Sequence, residues 1–413
     1  MNYYNYWGKA DKNYNYHLLV YHCLDVASVG EVLFNKNPNL LTHFSHLAAI
    51  DSKLFKKLFL FFLAIHDLGK FSDAFQGQIQ EIYCKFYPNQ TSKVYNIRHD
   101  SLGYVIWENK FVINQRGNIT GELFDLDYFS LKSSNDKRRH IRELLNLFIN
   151  ISNGHHGKPP SLANNATRIF VNNYFTNENI SDCLEFLEES YKLFFSNNLI
   201  SQLQNTDFQN VNTNVKNISF WLAGLAVLCD WIGSNSEIFQ YKKDCISLRE
   251  YWKKFALPRA EQAIEIVGIL PKKISKLKPN ELFTDANNKF SLTPLQKACV
   301  ELEIQNEPQL IILEDVTRAG KTEAAFILTK KLIDSCGYDG FYIGLPTMAT
   351  SNGMYQRISL FYKKFYELNS QPSLVLAHGA RNLVKLFQDT IISQRLLEDF
   401  SYSEDEESAT AHC

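Results

Sequence analysis

The 413-residue sequence predicts a mainly α-helical N-terminal domain followed by a partial α/β domain of the P-loop type. Three observations carry this expectation. Apolar residues recur at steps of three and four through HLLVYHCLDVASVGEVLF, LFLFFLAIHDLGKF and RHIRELLNLFIN, which is the period of a helix face and not of a strand. The stretch ISFWLAGLAVLCDWI, residues 218–232, is apolar on every face, as in a helix buried all round. Further on, the short apolar run Leu310–Leu313 leads through a loop into a helix starting near Lys321 and Thr322, the strand-loop-helix order that a phosphate-binding loop requires.

Composition narrows the function classes. A content of 45% hydrophobic and 14% aromatic residues fills sizeable cores, and the length allows two or three domains. Lys and Arg number 43 against 44 for Asp and Glu, so no global positive field marks a nucleic-acid binder and any such contact must come from local patches. Eight cysteines without a C-x-x-C pair argue for reduced thiols in the cytoplasm and against a zinc-thiolate site or a disulfide framework. The run 218–232 is shorter than the roughly 20 residues a bilayer requires and contains an aspartate, so no membrane span is expected.

The N-terminus, MNYYNYWGKADKNYNY, is polar and aromatic and shows no helical period. The first helix follows, with Leu19, His22, Val26 and Val29 on one stripe, so His22 faces inward; a lone inward histidine is more often a satisfied core residue than a ligand. The apolar run from Leu58 ends in His66, Asp67, Leu68, Gly69 and Lys70. Burying an imidazole beside a carboxylate costs several kcal/mol unless each finds a partner, and a divalent cation would satisfy both. His99 precedes a short helical pattern, and residues 107–137 read as an insertion or long loop. A helix over about 138–151 stops at Ser152-Asn153-Gly154, immediately before His155 and His156. Asp230 is the one charge in the apolar helix, and its partner could be an arginine, a protonated neighbour or a metal.

Together, His22, His66, Asp67, His99, His155, His156 and Asp230 form a nitrogen and oxygen ligand set that suits Mn, Fe, Ni, Co, Zn or Mg. Seven ligands exceed the needs of one ion, and two ions can clamp a phosphodiester. Lys70, a helical turn beyond His66, would neutralise phosphate charge.

The series YHCLDVA, LAIHDLGKF, RH-x-x-x-G, NGHHG and CDWIGS resembles, in order, the HD nuclease domain of the CRISPR-associated helicase-nucleases of type I interference systems, most nearly the type I-E form. The resemblance implies an all-helical HD-superfamily domain that degrades single-stranded DNA with one or two divalent metals. It implies His22, His66, Asp67 and Asp230 on one ion, Asp67 bridging, and His99, His155 and His156 on a second. It implies a crRNA-guided surveillance complex, Cascade, as partner. The expected division is residues 1–252 for the HD nuclease domain, 253–290 for a helix and lysine-bearing linker, and 291–413 for an incomplete first RecA-like helicase domain.

In that last segment Thr317, Gly320, Lys321 and Thr322 fall on the P-loop, and Gln296 resembles the adenine-sensing glutamine of superfamily 2 helicases, implying ATP and Mg²⁺. GLPTMATSNGMYQR and LAHGARN resemble the following helicase motifs. Asp315 stands where the loop wants a small residue and Arg318 where related helicases carry glycine, both unfavourable for phosphate binding. The sequence stops before a DEAH-like motif and a second lobe, so ATP-driven unwinding is not expected of this chain alone. Besides the nuclease, two other readings are open: an HD phosphohydrolase of nucleotides or cyclic nucleotides, and a non-catalytic remnant that binds the surveillance complex or DNA.

Overall fold

The structure is a computed structural model and describes residues 2–108, 135–154, 170–195, 206–283, 291–370 and 372–378. Its two compact units are Met1–Ile269 and Leu270–Cys413. The first reaches past the expected boundary at residue 252 because the helix Leu257–Val267 packs on the first helix of the chain.

The N-terminus, without helical period, forms a hairpin. Strands β1 (Trp7–Ala10) and β2 (Tyr16–Leu18) pair antiparallel, with a register shift between Trp7 and Lys9. The turn between them closes on Asp11, whose carboxylate accepts from the backbone N–H groups of Asn13 and Asn15. Tyr3, Tyr6 and Trp7 are buried, so the aromatics that obscured any period are core residues.

Helix α1 (Leu19–Lys36) is the hub of this unit. It packs against α3 (Ser52–Ala64), α9 (Phe208–Gly233) and α11 (Leu257–Val267), and is therefore buried on nearly every side from Leu19 to Phe34. Between these lie α2 (Pro38–Ala48), α4 (Asp73–Gln76), α5 (Gln80–Phe86), α6 (His99–Ile106), α7 (Asn135–Asn153), α8 (Asn177–Phe194) and α10 (Leu248–Tyr251). Asp51 caps α3 by accepting from the N–H groups of Lys53 and Leu54. Phe55, Phe59 and Phe62 then project at helical spacing onto Phe34, Phe148 and Trp107.

Helix α9 corrects one expectation, since it is not buried all round: Phe220 is 84% and Trp221 58% exposed. Val215, Leu222, Ala226 and Cys229 are buried where it packs against α1 and α7. Its length and composition alone would suffice to cross a bilayer; in this fold it is a bundle helix. The expected insertion falls largely on residues 109–134, outside the described residues.

In the second unit, α12 (Pro294–Glu301), α13 (Lys321–Cys336) and α14 (Met348–Ser359) surround small separate cores. Phe326 and Ile333 of α13 join Leu282, Ile358 and Phe365, while Ala324, Ile327 and Leu328 join Cys299. The expected buried strand Leu310–Leu313 is not formed. Ile311 and Leu313 pack inward, but Leu310 and Ile312 are 88% and 80% exposed. The period of two survives without a ladder, because no neighbouring strand satisfies its backbone among the described residues.

Candidate metal centre

Four elements deliver the candidate ligands to one place. His22 comes from the first turns of α1, and His66 and Asp67 from the turn that ends α3 and opens the 3-10 helix Leu68–Phe71. His99 is the first residue of α6, and Asp230 lies in the last turn of α9. Two glycines permit the convergence. A Cβ at Gly69 would overlap the carbonyl oxygen of His99 and stand 2.7 Å from the Gly103 nitrogen, so only glycine lets α6 seat beside Asp67. A Cβ at Gly233 would stand 2.8 Å from Val26 Cα, so glycine also lets the end of α9 reach α1 beside His22.

Asp67 is the centre of the cluster. Its Oδ2 lies 3.2 Å from both His22 Nε2 and His66 Nε2, while its Oδ1 lies 3.5 Å from His99 Nε2. Asp230 Oδ1 lies 3.7 Å from His22 Nε2 and 3.6 Å from His66 Nε2. Metal bonds of about 2.1 Å in tetrahedral or octahedral arrangements separate neighbouring ligand atoms by about 3.0–3.4 Å, close to this spacing. The donor set fits a divalent cation. His22 Nε2 is buried and makes no hydrogen bond, so it is open to a ligand role. His66 donates its Nδ1 proton to the Leu63 carbonyl at 2.8 Å, which orients the ring with Nε2 toward the cluster, where a metal would displace the Nε2 proton. Tyr95 holds His99: its hydroxyl lies 3.3 Å from Nδ1 and accepts from the His99 backbone N–H at 3.0 Å.

The electrostatics follow from burial and close charges. Burial drives His22 down to about 3, keeping it neutral and able to donate a lone pair. Burial also pulls on His66, but the carboxylates of Asp67 and Asp230 outweigh it and raise this imidazole to about 9. Burial acts against ionised Asp67, yet His66 and Lys70 hold its carboxyl well below the usual range. Lys70 Nζ lies 2.7 Å from Asp67 Oδ2, so its charge is engaged by the ligand itself and is not turned outward to a substrate.

Of the expected site residues, His22, His66, Asp67, Lys70, His99 and Asp230 come together; His155 and His156 lie outside the described residues. Asn153, just before that pair, is buried and donates to the Asp100 carbonyl, tying the end of α7 to α6. Sequence reading missed Tyr95, which acts through a loop whose path no pattern announces.

The expected nucleotide residues lie in the second unit. Gly320, at φ 82°, opens α13, and its carbonyl accepts from the Gln296 side chain at 3.1 Å. Gln296 and Thr293 cap α12 reciprocally, and the Thr293 hydroxyl donates to the Ala319 carbonyl. Lys321 Nζ donates to the carbonyls of Asp315 and Val316, both at 2.8 Å. Arg318 takes φ 69°, the left-handed conformation that glycine adopts without strain. Thr317 is exposed on the loop and Thr322 half-buried in the first turn of α13.

A helical bundle that gathers dispersed histidines and carboxylates round an adjacent His-Asp pair defines the HD class of metal-binding proteins. The profile described as "Cas3, HD domain" matches residues 7–239, more than half of the chain, and the chain belongs to that Cas3 family. It is 28% identical to the CRISPR-associated endonuclease/helicase Cas3 of Escherichia coli K12, over 93% of this chain and 42% of that protein. It is 28% identical to the CRISPR-associated nuclease/helicase Cas3 of Streptococcus thermophilus, over 78% of this chain and 34% of that one. The chain thus spans about two fifths of the length of the first of these relatives. The T. fusca Cas3-AMPPNP structure superposes with a TM-score of 0.64 at 20% identity, covering 91% of this chain and 39% of that one, which shows a shared fold.

Proposed function

We propose that this chain is a metal-dependent HD nuclease that cleaves single-stranded DNA in type I CRISPR interference. The observation that carries the reading is the packing of His22, His66, Asp67 and Asp230 donor atoms 3.2–3.7 Å apart in a buried cluster, with His99 on the second oxygen of Asp67. His22, His66, Asp67 and Asp230 would hold one cation; Asp67 and His99, with His155 and His156, would hold another. Such cations supply Lewis acidity and lower the pKa of water. The chain's own residues do the rest. Leu63 orients the His66 ring, Tyr95 orients His99, and Lys70 keeps Asp67 ionised by pairing with it.

The curated relatives are named a CRISPR-associated endonuclease/helicase and a CRISPR-associated nuclease/helicase, which supports a role in CRISPR defence; on this reading the chain acts in the cytoplasm with a crRNA-guided surveillance complex as its partner. On this reading the second unit corresponds to first-lobe RecA-like sequence. Its P-loop lysine is held by its own loop and Arg318 occupies a glycine-like conformation, so ATP-driven unwinding is not assigned to this chain alone.

The test is nicking of a circular single-stranded substrate in manganese. Wild type linearises and degrades it, while His66→Ala and Asp67→Ala stay folded and inactive. Cleavage that persists in chelator, or turnover of mononucleotides or cyclic nucleotides in preference to the oligonucleotide, would overturn the assignment.

A further inference from the structure

Among the described residues, two carboxylates and two lysines lie at the cluster, and Lys70 is the lysine that is paired. Lys70 sits on Asp67 at 2.7 Å. Lys9 lies within electrostatic reach of His22, Asp67, Asp230 and Lys70, yet its ammonium makes no hydrogen bond or ion pair among the described residues. It is partly buried, on the strand that passes beside His22. An ammonium kept there without a partner is suited to an anion that arrives from outside.

The local backbone is built to hold Lys9 at this place. The register shift in the hairpin falls between Trp7 and Lys9, and such bulges re-aim the side chain that follows. Gly8 lets β1 press onto α1: a Cβ there would stand 2.8 Å from Leu19 Cα and 3.2 Å from His22 Cβ. Trp7 is clamped to Gln76 on both sides, its N–H groups donating to the Gln76 side chain and carbonyl while the Gln76 amide donates to the Trp7 and Lys70 carbonyls. The hairpin is therefore fastened to α1 beside His22 and to the 3-10 helix beside Lys70.

We propose that Lys9 is a substrate-binding residue of this centre, whose ammonium donates to a non-bridging oxygen of the phosphate brought to His22, Asp67 and Asp230. The inference rests on the metal-centre reading given above, and it assigns to Lys9 the phosphate contact that Lys70 cannot make while it pairs with Asp67. A charge-assisted hydrogen bond to phosphate corresponds to about a 10- to 100-fold change in affinity.

The experiment titrates the full chain and its Lys9→Ala and Lys9→Arg variants with manganese, then titrates each loaded protein with inorganic phosphate and with a single-stranded oligonucleotide. We expect equal manganese binding by all three proteins, about 10- to 100-fold weaker phosphate binding by Lys9→Ala, and recovery of most of that loss in Lys9→Arg. Phosphate affinity of Lys9→Ala within twofold of wild type overturns the proposal. So does loss of manganese binding in Lys9→Ala, which would make Lys9 a structural support of the ligands. Phosphate binding that depends on Lys9 in a protein that cleaves no DNA would sustain this proposal while defeating the nuclease reading.

Discussion

Substitution of Gly69 by alanine tests why the site forms at all. The added Cβ would overlap the His99 carbonyl oxygen and stand 2.7 Å from the Gly103 nitrogen and the His99 carbonyl carbon. All three are backbone atoms, so no side chain can swing aside. Ordinary contact is about 3.5 Å, and the oxygen overlap sets the movement, so α6 must retreat by more than about 1 Å. Overpacking of this kind costs about 1–3 kcal/mol, or a Tm lower by about 3–9 °C for a unit of this size. The retreat also carries His99 away from Asp67, and a displacement of about 1 Å at a reacting centre costs about 100-fold in rate. Gly224→Ala is the matched control, because nothing lies within 4 Å of its Cβ in the middle of α9. It should stabilise by about 0.5–1 kcal/mol through the better helix propensity of alanine. Scanning fluorimetry and single-turnover cleavage in manganese measure both. A Gly69→Ala protein with wild-type Tm and rate would refute the packing argument.

Further expectations follow from the same contacts. His66 is raised from its ordinary 6.5 to about 9, so its contribution to metal-free stability is complete below about 6.5 and is lost as pH rises through about 9. Manganese competes with that proton, so affinity should strengthen between those limits with proton release in calorimetry; affinity independent of pH contradicts the assignment. Asp25 receives the Tyr251 hydroxyl at 2.9 Å and lies 2.9 Å from His17 Nε2, whose Nδ1 accepts from the Lys242 N–H, all deep in the first unit. Asp25→Ala should destabilise by about 2–4 kcal/mol in urea unfolding, and a loss under about 0.5 kcal/mol would show that this network contributes little. Arg318→Gly removes a left-handed non-glycine residue and should stabilise the second unit by up to about 1 kcal/mol in thermal unfolding, whereas destabilisation would count against strain there.

The helical character of the first unit was legible because its core is written at helical spacing, as in Phe55, Phe59 and Phe62 of α3. Five of the seven residues singled out as ligands, His22, His66, Asp67, His99 and Asp230, come together in the structure, and they could be recognised by type and by position at the ends of apolar helices without knowledge of their separation. What could not be read was geometry set by contacts distant in sequence. The hairpin around Trp7 is fixed by Gln76, 69 residues away, and so Lys9 carried no signal. Trp221 and Phe220 are as apolar as their neighbours, and hydropathy alone cannot say which face of α9 meets α1. The strand expected at Leu310–Leu313 kept its alternation but lacks a pairing neighbour among the described residues, a condition that lies outside the segment itself.

Manganese content, measured on purified chain after loading and desalting, probes the metal centre most directly when wild type is compared with the folded His66→Ala and Asp67→Ala variants. Wild type should retain at least one ion per chain, Asp67→Ala almost none, and His66→Ala clearly less than wild type. Equal retention by all three proteins, or none by wild type, would contradict a centre built on His22, His66, Asp67 and Asp230.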